Sequence, residues 1–294
     1  MTTGKKLSFG IKTTQQRTTY EDMLRVWQEA DSIPSIEHAW LFDHLMPLRG
    51  DCSDPCLEGW TLLAAFAAVT KRLRLGLTVS SNTYRHPAVL ANMAATVDII
   101  SGGRLDFGIG AGVGEGNHEI EHHAYGMPLP ALGERIRRLG EACEIIRRMW
   151  IETAPSFEGN YYQIKEAYCE PKPVQKPYPP FVIGGLGEKL TLRIVAQYAS
   201  IWNFMGGGVE SFQQKSAILD SHCAAIGRDP QTIQRSTQVR VNLADLEETR
   251  SRIYSYAQAG MTHLILSLHS PYPEGIVRRL DEEIVQPLKA EFEK

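Results

Sequence analysis

Disulfide chemistry is poorly provided for in this sequence. Its five cysteines (Cys52, Cys56, Cys143, Cys169, Cys223) are an odd number and contain no C-x-x-C pair. Cys52 and Cys56 offer half a metal site with no second pair to complete it, so free thiols in a reducing cytoplasm are the simpler account. An excess of one charge is also missing: 31 basic residues against 34 acidic ones leave a net charge of −3, which gives no general reason to approach nucleic acid or an anionic membrane. The one basic run, Arg135, Arg137 and Arg138, is followed at helical spacing by Glu141 and Glu144 and reads as a solvated helix face. No window approaches the roughly 18 continuous apolar residues of a membrane span. The start, Met1 to Lys6, is polar and lacks the apolar stretch of a secretory signal. The expectation is a cytoplasmic chain with no nucleic-acid or membrane partner. Its 294 residues, 43% of them apolar, are enough to bury a large core.

What is present is an alternation of short β-rich runs and helical patterns. Strand-like runs are Leu7–Lys12, Ala39–Phe42, Leu73–Val79, Leu105–Ile109, Phe181–Ile183, Ser200–Phe204, Thr237–Val241 and His263–Leu268. Helical patterns follow them at Tyr20–Ile33, Leu57–Thr70, Pro87–Ile100, Ala131–Trp150, Glu188–Tyr198, Ser211–Ile226, Leu246–Ala259 and Glu274–Leu288. The rhythm breaks once, over Ile151–Pro180, which holds six prolines and a Gly159-Asn160 turn signal between aromatic runs. That stretch reads as a short hairpin (Ser156–Ile164) and an extended return. Eight strand-then-helix units with no boundary-like linker predict an α/β protein: a (β/α)8 TIM barrel, one domain over 1–294 with a Pro-rich insertion at about 151–180. A doubly wound open sheet is the competing arrangement.

A barrel of this kind places its chemistry on the loops after the strands. Those loops carry Asp43-His44, Ser80-Ser81-Asn82, Gly110-Ala111-Gly112, Gly184-Gly185-Leu186-Gly187, Met205-Gly206-Gly207-Gly208 and His269. The run from Ile183 to Glu188 is expected to open a helix, where free amides, the dipole and the absence of side chains suit an anion. Lys189 and Arg193 would add charge there, and a tight turn with no ligand is the plainer alternative. Gly108-Ile109-Gly110-Ala111-Gly112 lacks G-x-G-x-x-G spacing, which excludes a Rossmann fingerprint. Asp43-His44 ends an apolar strand. Such a pair suits proton handling near neutral pH, or else simply closes the strand end. His118-Glu119-Ile120-Glu121-His122 matches H-E-x-x-H, the pattern of a zinc hydrolase. Gly126 and Pro128 leave room for at most two helical turns, and Tyr125 stands where an extended zinc motif needs glycine.

Four passages together resemble the luciferase-like monooxygenase superfamily, and within it the branch of deazaflavin (coenzyme F420)-dependent oxidoreductases. They are Trp40-Leu41-Phe42-Asp43-His44; Tyr84-Arg85-His86-Pro87 through Ser101-Gly102-Gly103-Arg104-Leu105; Glu121-His122-His123-Ala124-Tyr125-Gly126, similar to a family loop; and Ile183 through Arg193 with Ile201-Trp202-Asn203. The resemblance spans nearly the whole chain in order. It implies hydride transfer between coenzyme F420 (8-hydroxy-5-deazaflavin) and a small organic substrate, in a homodimer whose insertion partly covers the site. FMN on the same scaffold, in a flavin-dependent monooxygenase, is the alternative, and a zinc hydrolase or a catalytically silent flavin-binding protein are readings of other classes. Asp43 and His44 would lie near the ring as catalytic residues. Leu77, Thr78 and Val79 would brace the ring from behind with a bulge and a non-proline cis bond, and Ala111 and Gly112 would border it. Ile183, Gly184, Gly185, Leu186 and Gly187 would hold the phosphate of the tail. Glu115, His118 and His269 are the substrate-side candidates, and no resident metal is expected. Members that oxidise sugar phosphates place a glutamate directly after the G-x-G turn; Val113 stands there in this chain, which puts that substrate in doubt.

Overall fold

The computed structural model describes residues 6–113 and 116–293. The chain runs β1 (Ser8–Thr13), α1 (Tyr20–Ser32), β2 (Ile36–Leu41), α2 (Gly59–Val69), β3 (Arg74–Leu77), β4 (Ser80–Ser81), α3 (Pro87–Ile100), β5 (Leu105–Gly110) and α4 (Asn117–Ala124). It continues through α5 (Leu132–Ile151), the hairpin strands β6 (Phe157–Glu158) and β7 (Gln163–Ile164), β8 (Phe181–Gly184), α6 (Thr191–Tyr198), β9 (Ile201–Phe204) and α7 (Val209–Ala225). It ends with β10 (Gln234–Arg240), α8 (Leu246–Gln258), β11 (His263–Leu268), α9 (Ile276–Leu280) and α10 (Gln286–Phe292). The strand order β3-β2-β1-β11-β10-β9-β8-β5 closes on itself through β3–β5, and every pair in the ring is parallel. This is the (β/α)8 barrel expected from the eight repeats; the open-sheet alternative is excluded.

Successive strand residues point to opposite faces, and the two faces build two cores. Outward residues such as Phe9, Ile11, Leu75, Phe107, Phe181, Trp202 and Leu264 pack with the helices in one large cluster, while Trp40, Val182, Ile201 and Ile265 form a small separate cluster. We place that second cluster on the barrel axis, because its members come from four different strands. The rest of the axis is polar and linked. Lys12 Nζ donates to Gln238 Oε1 (2.7 Å), Gln238 Nε2 to Asn203 Oδ1 (2.9 Å) and Asn203 Nδ2 to Ser236 Oγ (3.1 Å). Ser236 Oγ then meets His263 Nδ1 at 2.8 Å. The His263 ring stacks on His38 (3.9 Å, 9°), whose Nδ1 accepts from Trp40 Nε1 at 2.6 Å.

Several element boundaries differ from the sequence expectation. The third strand stops at Leu77 and resumes at Ser80; Gly76 pairs with Asp106 but Ser80 with Ile109, so it holds one residue more than its partner. The Thr78–Val79 peptide is cis, and this is the bulge and cis bond that the family resemblance implies there. The helix expected from Glu188 begins at Thr191 instead, because residues 188–190 form a turn and the Leu192 amide bonds back to Gly187 O (2.9 Å). The last helix breaks into α9, a π-turn (Asp281–Val285) and α10. Pro287 is the cause: it has no N–H to donate and its ring crowds the carbonyl four residues back, so the backbone widens there. The insertion does carry a hairpin, and Glu141 on α5 accepts the amides of Asn160, Tyr161 and Tyr162 at its turn.

Candidate active site

Phe42 to Leu45 leave the C-terminal end of β2 as an ordered loop. Gln15 clamps it, donating from Nε2 to Phe42 O (2.7 Å) and accepting the Phe42 amide at Oε1 (2.9 Å). The two polar residues that follow go separate ways. Asp43, 1% exposed, is gripped by both guanidinium nitrogens of Arg85 (2.6 and 3.1 Å), and Arg85 also holds Glu58 (2.7 Å). Burial pushes the Asp43 carboxyl up and Arg85 opposes it. The partner of Asp43 is therefore an arginine from before α3, in line with adjacent residues of a strand end pointing opposite ways.

His44 pairs with Glu121 of α4 instead. Its Nδ1 lies 2.9 Å from Glu121 Oε2 and 3.0 Å from the Tyr84 hydroxyl. Tyr84 also donates to Glu121, as does the Leu45 amide. Burial would raise the Glu121 carboxyl, but the His44 and Tyr84 hydrogen bonds outweigh it and hold Glu121 below the usual carboxylate range. Burial and the neighbouring Glu121 push the Tyr84 hydroxyl up. His118, one helical turn before Glu121, sits edge-on against the His44 ring (4.5 Å, 74°), and burial followed by His44 lowers it to about 4. His122 takes no part: its Nε2 meets Thr83 Oγ1 and its Nδ1 meets His118 O, each at 2.8 Å. The H-E-x-x-H pair thus does not converge on one ion, and the family-like E-H-x-A-Y-G stretch is mostly helix.

The remaining candidates surround this cluster unevenly. Lys12, which the sequence reading passed over, is buried on β1; burial lowers it to about 8, and its Nζ reaches Gln238 Oε1 and, at 3.5 Å, Thr78 O beside the cis bond. Val79 packs against the rim glycines: a Cβ on Gly110 would meet Val79 Cγ2 at 2.8 Å and one on Gly184 at 3.3 Å. Gly112 has φ +70°, and the guanidinium of Arg135 lies 3.5 Å from Ala111 O. Beyond Ile183, Gly185 has φ +135° and a Cβ there would meet Thr191 at 2.7 Å. The Leu186 and Gly187 amides donate to no acceptor among the described residues. Free amides beside glycines are what an anionic cofactor tail requires, so the rim fits such a group. Arg193 does not add charge there; it lines an outer groove with Arg137, Glu141 and Tyr161. His269 lines a cavity of about 670 Å³ with Arg240, Asn242 and Arg252, and it is lowered by burial and then by Arg240, Lys12 and Arg49. A smaller hollow of about 200 Å³ borders Tyr84 and Arg85, under Tyr162 of the insertion, whose hydroxyl donates to Asn82 O (3.2 Å). Glu115 lies outside the described residues. The roles of Glu121, Tyr84 and Arg85 escaped sequence reasoning; their signal was a polar residue inside each family-like passage, with no partner visible along the chain.

Fold and site together define a (β/α)8-barrel enzyme with an imidazole–carboxylate pair at the C-terminal rim. The chain belongs to the luciferase-like monooxygenase family, whose model matches residues 1–289. It is 30% identical over 255 residues to an F420-dependent glucose-6-phosphate dehydrogenase of Microbacterium testaceum (strain StLB037), covering 83% of this chain and 72% of that one. A protein of the same description from Amycolatopsis mediterranei (strain U-32) is 31% identical over 181 residues, which cover 61% of this chain and about half (52%) of the relative. In three dimensions the chain is similar to an F420-dependent secondary alcohol dehydrogenase in complex with an F420-acetone adduct, with a TM-score of 0.82, 17% identity, and coverage of 95% of this chain and 98% of that one.

Proposed function

We propose that this protein is an F420-dependent oxidoreductase that exchanges a hydride with a small organic substrate, and that His44 moves the accompanying proton. The observation that carries this reading is the 2.9 Å contact between His44 Nδ1 and Glu121 Oε2. Glu121, held ionised, can only accept hydrogen bonds, so the His44 proton resides on Nδ1 and the lone pair on Nε2. An imidazole so oriented takes a proton from a substrate hydroxyl, and returns it to a carbonyl oxygen when the reaction runs backwards. Glu121 lies where it stabilises the cation formed, and Tyr84 keeps Glu121 in place.

When bound, the deazaflavin supplies the carbon that accepts or donates the hydride. Leu77, Thr78 and Val79 would back its ring, Ala111 and Gly112 would border it, and Gly184, Gly185, Leu186 and Gly187 would receive its anionic tail. Asp43 fixes Arg85 and through it the loop before α3. Glucose 6-phosphate is not carried over from the relatives, since Val113 occupies the glutamate position of sugar-phosphate-oxidising members. A single barrel domain, a cytoplasmic location and a homodimer belong to the same reading, carried by the family resemblance.

Absorbance titration of the protein with coenzyme F420 and separately with FMN tests the cofactor. Saturable binding of the deazaflavin, tighter than that of FMN, is expected. Binding of FMN alone would overturn the reading in favour of a flavin-dependent monooxygenase.

A further inference from the structure

His118 is the residue of the rim cluster that proton transfer does not use. Among the described residues its ring makes no hydrogen bond, and it lies in a T-shaped contact with the ring of His44. One nitrogen of His44, one nitrogen of His118 and one carboxylate oxygen of Glu121 lie within 4.8 Å of one another. His118 and Glu121 are three residues apart and so share a face of α4, while His44 reaches the same point from the loop after β2.

Two imidazoles and one carboxylate are a donor set that suits divalent first-row transition metals and leaves coordination positions open. At metal–ligand distances of about 2.0–2.2 Å, tetrahedral donors stand roughly 3.4 Å apart. Small rotations of the half-buried imidazoles would close the set around an ion. The carboxylate is already held in place, by the Leu45 N–H on Oε1 and by the Tyr84 hydroxyl on Oε2, as ligands are by outer-sphere partners in metal sites.

We propose that His44, His118 and Glu121 bind a divalent transition-metal ion of the zinc class, and that an ion seated there withdraws His44 from proton transfer. This is not the literal H-E-x-x-H site: His122 is engaged elsewhere, and the carboxylate ligand is the fourth residue of the motif. The binding claim needs no cofactor; only the inhibition claim rests on the function proposed above.

The test uses the full-length protein stripped with a chelator. Cobalt(II) is titrated and followed by its visible ligand-field bands, and zinc(II) is titrated in competition with a chromophoric chelator. Saturable binding of one ion per chain is expected. His118→Ala and Glu121→Gln should each weaken it by at least ~10-fold, whereas His122→Gln should leave the affinity unchanged. His118 is only half-buried, so its variant remains informative if the Glu121 variant fails to fold by circular dichroism. Absence of saturable binding, or binding lost in His122→Gln and kept in His118→Ala, overturns the site. Hydride transfer by the loaded holoenzyme should fall in step with zinc occupancy and return with EDTA; full activity at full occupancy overturns the inhibition. If no cofactor binds at all, the functional reading fails while the metal titration still decides the site.

Discussion

His44 carries its role through what touches it. With Nδ1 committed to Glu121, removing the imidazole removes the proposed proton carrier without touching the glycine rim. General acid–base help is typically worth ~10²–10⁴ in rate, so His44→Ala should lower kcat by that order and change the deazaflavin Kd only a few-fold. Steady-state kinetics beside a binding titration check this. A kcat within a few-fold of wild type would make His44 a binding residue. Asp43 is different in kind. Its carboxylate is fully buried and its charge is met by Arg85, so Arg85→Met leaves a buried charge uncompensated. Loss of one partner of a buried pair costs about 3–5 kcal/mol. Urea unfolding should register that loss, and Asp43→Asn in the same chain should recover part of it.

At the scale of elements, the glycine rim has two kinds of glycine. Gly185 is demanded by the backbone, since φ is +135° and a Cβ would run into Thr191 at the start of α6. Gly184 is demanded only by space, where a Cβ would press on Val79 Cγ2 at 3.3 Å. Gly185→Ala should therefore lower the melting temperature whether or not a ligand is bound. Gly184→Ala should leave melting nearly unchanged while weakening deazaflavin binding, because its methyl group narrows the rim at Val79. Equal melting of the two variants would contradict this division. Substitution at Gly185 thus tests the loop more than the ligand, a distinction that the G-G-L-G spacing does not reveal.

The whole molecule is a largely polar axis inside an apolar shell, and two histidines at the N-terminal end of that axis are expected to set its acid stability. His38 and His263 stack at the N-terminal pole, beside a cavity of about 520 Å³ lined by Glu37, Arg74 and Asp106. Burial lowers His263 from 6.5 to about 3, and burial with the neighbouring His263 lowers His38 well below 6.5. The folded protein therefore binds fewer protons than the unfolded chain below pH 6.5. Stability is complete above that pH and falls as the pH drops toward 3, by up to about 1.4 kcal/mol per pH unit for each histidine. The urea midpoint should be lower at pH 5.0 than at pH 7.5, and His263→Asn should shrink the difference. An unchanged difference would assign the acid sensitivity to other groups.

The sequence by itself determined the shell. Apolar periodicity marked eight strands and their helices, because burial against a neighbouring layer repeats every two or 3.6 residues, and the strand ends named Asp43, His44 and the glycine loop. What stayed hidden was set by contacts distant in the chain or by backbone detail. Gln234, Arg235 and Ser236 did not read as strand, since part of the barrel interior is polar and no apolar alternation marks its start. Glu121, 77 residues from His44, and Arg85, 42 from Asp43, became partners only when closure of the barrel gathered the loops of different strands on one rim. A strand end states that a side chain faces the mouth; only the tertiary fold decides which charge meets it there, because electrostatic pairing depends on distance in space and leaves no period along the chain.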